Sequence, residues 1–122
     1  MGLSSDNLLI GARHLGIDLT RRQIEQFCSY YEELIEANRR FNLTTVVEWE
    51  EVQVRHFLDS VSVCKAFPSK LLQEGHILDV GTGAGFPGVP LKIAFPGIRL
   101  HLLESVSKKA SFISGLIDRL GL

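Results

Sequence analysis

"ILDVGTGAGFPGVPLKIAFPG", Ile77–Gly97, holds five of the chain's eleven glycines and three of its four prolines, directly behind a short apolar run. A tight turn between a strand and a helix would use such residues. So would a turn whose backbone must come close to a ligand. The flanks decide between a lone turn and a repeating unit. "GHILDVG" reads as a strand, "FPGVPLKIAF" as a helix opened by Pro87, "GIRLHLLES" as a second strand and "SVSKKASFISGLIDRLG" as a second helix. This β-α-β-α alternation predicts a parallel sheet with right-handed crossovers. The glycine-rich stretch is then the first strand-to-helix turn of an open α/β sheet, where ligands bind at the carboxyl ends of the strands.

The glycines make the pattern D-x-G-x-G-x-G from Asp79, with Gly81, Gly83 and Gly85. A dinucleotide fingerprint requires G-x-G-x-x-G, and its third glycine would fall on Phe86. Pro87 and Pro90 remove two amide donors from the first helical turn, which makes a poor phosphate cradle. Glu104 ends the second strand about twenty residues on, where an acidic side chain in such folds accepts the ribose hydroxyls. A nucleoside ligand without a pyrophosphate is expected, and S-adenosylmethionine fits that description.

Everything before about Gln73 reads helical. Ser5 or Asp6 is positioned to cap a short helix that Gly16 stops near Leu15. Thr20 and Gln23 form a capping box for a helix of about twenty residues. Its apolar stripe is Ile24, Phe27, Cys28, Tyr31, Leu34, Ile35 and Asn38, and its charged side is Arg21, Arg22, Glu32, Glu33, Glu36, Arg39 and Arg40. "VVEWEEVQVRHFLDSVSVCKAF" reads as a second helical region, broken near Arg55–Phe57 and ended by Pro68. The division expected is a helical region at 1–71 and the first half of a Rossmann-like unit at 72–122.

At 122 residues and net charge −1 the chain offers one modest core and no global basic surface of histone type. Cys28 and Cys64 lack any CxxC or His-rich context and read as buried free thiols. His14, His76 and His101 are too scattered for a metal site. Trp49, Tyr30 and Tyr31 read as core or interface residues. No apolar run approaches the roughly twenty residues of a membrane span, and the N-terminus lacks the pattern of a signal peptide. Gly2 fits a myristoylation pattern only loosely, because Asp6 stands where Ser or Thr is wanted. A cytoplasmic protein is the expectation.

Four stretches together resemble the glucose-inhibited division protein B family, the small-subunit ribosomal RNA methyltransferases G. They are "NRRFNLTT" (Asn38–Thr45), "VRHFLDSV" (Val54–Val61), "ILDVGTGAGFPGVPL" (Ile77–Leu91) and "LLESVSKKASFI" (Leu102–Ile113). The match runs from about Leu19 to Leu122, and the last two stretches are the specific ones in combination. The resemblance implies a class I methyltransferase fold, S-adenosylmethionine as cofactor, and methyl transfer to N7 of one guanine of 16S ribosomal RNA in the 30S subunit. It implies that Gly81 and Phe86 line the methionine and adenosine path. Glu104, Ser105 and Val106 would hold the ribose and the adenine edge, with Asp79 and Gly83 in the same turn. No catalytic side chain and no metal are expected.

The same resemblance implies about seven strands, of which two are readable, so the chain is expected to be a fragment without full activity, and one that self-associates. "RHFLDS" admits two readings. Arg55 can pair with Asp59 within a helix while His56 is half-buried, or Arg55 and His56 can face the crevice or the RNA. Lys108 and Lys109 stand at a helix start, where the dipole disfavours cations. Phosphate contact would explain them, as would simple solvation. A nicotinamide-dependent oxidoreductase and a non-catalytic module with an incomplete nucleotide fold are the competing functional classes.

Overall fold

The computed structural model describes residues 4–122, so Gly2 lies outside the described residues. Helices α1 (Asp6–His14) and α2 (Arg21–Asn38) precede a composite helical segment. That segment runs through α3 (Trp49–Val52), a π-helical turn (Gln53–Leu58), α4 (Asp59–Val61) and a 3-10 turn (Ser62–Ala66). After α5 (Ser69–Glu74) come β1 (His76–Val80), α6 (Gly88–Ala94), β2 (Arg99–Leu103) and α7 (Ser107–Leu120). The architecture mixes helices with a two-stranded sheet, β1 and β2 paired in parallel from His76↔Arg99 to Val80↔Leu103, as the β-α-β-α alternation predicts.

Local chemistry accounts for the element ends, and for three departures from the sequence reading. Thr20 and Gln23 form the expected capping box at 3.1 and 2.7 Å. Gln23 also donates to the Ile93 and Ala94 carbonyls at 2.9 and 3.3 Å, so it fastens the start of α2 to the end of α6. At α1, by contrast, neither Ser5 nor Asp6 caps with its side chain. The fully buried Gln53 does that work from 45 residues away: its Oε1 accepts the Leu8 amide at 3.0 Å. The break expected near Arg55–Phe57 is a widened turn in a chain that stays helical, because a π turn absorbs an extra residue without losing its hydrogen bonds. The buried stripe of α2 centres on Phe27, Tyr30, Leu34 and Ala37, one position off the expected Tyr31 and Asn38. Tyr31 instead keeps its hydroxyl outside, donating to the Val47 carbonyl at 2.6 Å.

The main core joins the helices to the sheet: Leu8, Phe27, Tyr30, Leu34, Trp49 and Phe57 pack with Val89, Ile93 and Leu116. Both strands alternate, so Asp79, Leu100 and Leu102 face inward, and Ile77 packs on a smaller cluster of Cys64, Leu91 and Ile98. The other face of the sheet is open, with Leu78, Val80 and Leu103 exposed to 58%, 70% and 55%. His76 and His101 meet on that face as well, Nδ1 to Nε2 at 3.1 Å. Strand pairing thus gathers two of the histidines that are scattered in the sequence. Cys64 is buried, and burial pushes its thiol up; Cys28 is only half-buried.

Candidate functional site

β1 runs into a turn at the carboxyl end of the sheet, and a set of hydrogen bonds holds that turn in shape. The Gly81 and Thr82 amides both donate to the Leu103 carbonyl, at 2.8 and 3.3 Å, which prolongs the strand pairing beyond Val80. Asp79 faces inward, and its Oδ2 accepts from the Thr82 hydroxyl at 2.8 Å and from the Gly88 amide at 3.0 Å. One carboxylate oxygen therefore ties the strand end, the turn and the first residue of α6 together. The Val89 amide goes to Gly85 O and the Leu91 amide to Pro87 O. Pro90 has no amide hydrogen to offer. The start of α6 accordingly presents no row of free donors.

The three glycines do different work. Gly81, Gly83 and Gly85 all have positive φ, at 70°, 60° and 100°, a region that L-residues with a side chain enter at a cost. A Cβ on Gly81 or Gly83 would meet nothing within 4 Å, so their backbone borders open space. A Cβ on Gly85 would stand 2.5 Å from the Tyr30 hydroxyl and 3.2 Å from Ile113. Gly85 thus supplies the close packing that the third glycine of a dinucleotide turn supplies, one residue earlier than that pattern would place it.

Glu104 closes the turn from β2. Its Oε1 accepts the Gly83 amide at 2.7 Å and its Oε2 the Val106 amide at 2.9 Å. These two amides, Val106 first, hold the carboxyl below the usual carboxylate range, and Lys109 adds to the effect. The carboxylate is ionised and oriented, with lone pairs to spare for further donors.

Of the residues expected in the site, the structure brings together Asp79, Gly81, Gly83, Phe86, Glu104, Ser105 and Val106. His56 joins them by stacking on Phe86 at 4.5 Å between ring centroids. Lys109 is near enough to act on Glu104, whereas Lys108 turns into a groove of about 510 Å³ with Glu33, Glu36, Arg40 and Phe112. Arg55 is exposed and pairs with Glu51 at 3.2 Å rather than with Asp59. That preference follows from orientation, since an acid N-terminal to its base at i,i+4 is the better-placed partner. Two participants escaped the sequence reading. Tyr30, fully buried, donates to the Ala84 carbonyl at 2.6 Å and so anchors the turn to α2. Thr44 bonds His56, and its only signal was its place in "NRRFNLTT".

Residues 23–122 match the family described as rRNA small subunit methyltransferase G. The chain belongs to that family. It is 48% identical over its whole length to the ribosomal RNA small subunit methyltransferase G of Pelotomaculum thermopropionicum, of which it covers 50%. It is 50% identical over 96% of its length to the protein of that name from Dehalococcoides mccartyi, covering 48% of it. With the one from Lachnoclostridium phytofermentans the identity is 49%, over 92% of this chain and 46% of the relative. The chain spans about half the length of these relatives.

Proposed function

We propose that this chain is the N-terminal half of an S-adenosylmethionine-dependent methyltransferase that modifies N7 of a guanine in 16S ribosomal RNA. The observation that carries the reading is the turn itself: Gly81 and Gly83 border open space while Glu104 holds an ionised carboxylate against the Gly83 amide. Glycines without steric cover admit a ligand to the backbone, and a fixed carboxylate accepts ribose hydroxyls. Phe86, Ser105 and Val106 complete the expected lining. Against a dinucleotide stand the Gly88 amide, spent on Asp79, and the missing donor of Pro90. S-adenosylmethionine, when bound, supplies an electrophilic methyl on sulfur. N7 of guanine has an in-plane lone pair and no proton to lose, so the protein's task is alignment and exclusion of water, with no general base.

In this reading residues 1–71 are the helical platform and 72–122 the first half of the cofactor unit, in a cytoplasmic protein whose partner is the 30S subunit. Arg55, His56, Lys108 and Lys109 are the candidates for RNA contact; Arg55 is exposed beside Glu51, and Lys109 acts on Glu104 from the start of α7. Radiolabelled methyl transfer to 30S subunits tests the proposal, with this chain alone and with the remaining half of a relative supplied beside it. Transfer is expected only in the second arm. Transfer in neither would contradict the activity, and transfer by this chain alone would contradict the need for a second half.

A further inference from the structure

Phe86 belongs to the glycine-rich turn, yet its ring is met by side chains from the helical region. The half-buried His56 ring stacks on it with planes 18° apart. Tyr30 stacks at 5.7 Å and Phe57 meets it edge-on at 6.2 Å. His56 comes from the π turn, so the widened backbone delivers this ring to the turn. On its polar edge, Nε2 lies 2.7 Å from Thr44 Oγ1. That hydroxyl oxygen already accepts the Val46 amide at 3.0 Å, and the Val46 carbonyl, at 3.5 Å, is a poor alternative acceptor. If that hydroxyl gives its hydrogen to Nε2, the proton of the neutral ring is on Nδ1. Thr44 is set in turn by Asn38, whose Oδ1 accepts the Leu43 and Thr44 amides at 2.7 and 3.1 Å.

We propose that His56 is a positioning residue for Phe86: Asn38, Thr44 and His56 form a hydrogen-bonded strut from the end of α2 that fixes the Phe86 ring and, through it, the turn. The inference deepens the methyltransferase reading, since the strut matters to a ligand only if the turn takes one. The strut uses the neutral ring: protonation at Nε2 would reverse the bond to Thr44, turn its hydrogen toward the distant Val46 carbonyl, and place a cation beside a turn proposed to receive a sulfonium. The surroundings favour the neutral ring. Burial first, then Arg55, lower the His56 pKa, with Asp59 opposing. Tyr30, the other titratable ring in the stack, is raised well above its ordinary value by burial and stays protonated.

Long-range proton–nitrogen NMR of this chain across pH tests the strut without any ligand. His56 is expected as the Nδ1–H tautomer, titrating below the ordinary histidine value, with the Phe86 ring resonances following the same transition. Thr44→Val, which keeps the side-chain volume and removes the donor, is expected to raise the His56 transition and broaden the Phe86 signals. An Nε2–H tautomer, Phe86 resonances indifferent to the transition, or an unaltered His56 in Thr44→Val would each overturn the proposal. A second arm titrates S-adenosylhomocysteine at a temperature where both proteins are fully folded, and Thr44→Val is expected to weaken binding about tenfold, the worth of one hydrogen bond. Unchanged affinity in that variant would sever the strut from the ligand. An unmodified chain that binds no adenosyl ligand would count against the methyltransferase reading, while the NMR arm still decides the strut.

Discussion

Gly81 and Gly85 lie in one turn, both at positive φ, but a methyl group would meet different surroundings at each. At Gly81 it would project into open space; at Gly85 it would strike the Tyr30 hydroxyl. Gly85→Ala is expected to lower stability by about 2–4 kcal/mol, backbone strain and overpacking together. Gly81→Ala should lower it by about 1–2 kcal/mol, the strain alone, while abolishing adenosyl-ligand binding. Urea denaturation beside ligand titration separates the two, and equal stability losses would contradict the division of labour. Protonation gives a second test at this scale. His56 has a lowered pKa, so as pH falls through the ordinary value of 6.5 the unfolded chain takes up a proton before the folded one. Stability therefore drops from about pH 6.5 until the folded ring titrates, then levels. Glu104 also has a lowered pKa, so its stabilisation is complete above the ordinary value of 4.5 and is lost as pH falls through the folded value. Denaturation midpoints across pH should show both declines. His56→Gln should remove the upper one and Glu104→Gln the lower, and a variant that leaves its own decline intact would refute that assignment.

Among the elements, α2 does more than cover the sheet. Tyr30 on α2 reaches the Ala84 carbonyl and Gln23 reaches the last carbonyls of α6. Tyr30→Phe leaves the Ala84 carbonyl without its buried donor and is expected to cost about 1–2 kcal/mol in thermal or urea unfolding. A change near zero would mean that water replaces the hydroxyl. What the sequence revealed of these elements follows the range of the interactions. The capping box, the alternation of β1 and β2 and the glycine pattern are local, and all are legible within a few residues. Gln53 capping α1 and the Tyr30 hydroxyl depend on partners 45 and 54 residues away, and no period or spacing encodes them. The candidate site divides the same way. Glu104 was placed by its distance from the glycines, but its grip on Gly83 and Val106, and the Thr44–His56–Phe86 contact, required the fold.

At the scale of the whole molecule, two parallel strands have one covered face and one open one. Parallel sheets are stable when both faces are packed, and here Leu78, Val80 and Leu103 stand in solvent beside unpaired strand edges. The chain alone is expected to self-associate across this face. Light scattering behind size exclusion should report species larger than a monomer, and Leu78→Lys with Val80→Lys should restore the monomer. A monomer before any substitution would show that the open face is tolerated.

We propose that the turn between β1 and α6, closed by Glu104, takes an adenosyl ligand without a pyrophosphate. Calorimetric titration of this chain with S-adenosylmethionine, S-adenosylhomocysteine and NAD addresses it most directly. One-to-one binding of the two adenosyl-sulfur ligands is expected, with loss of that binding in Glu104→Gln and no heat from NAD. Tighter binding of NAD, or adenosyl binding that survives Glu104→Gln undiminished, would contradict it.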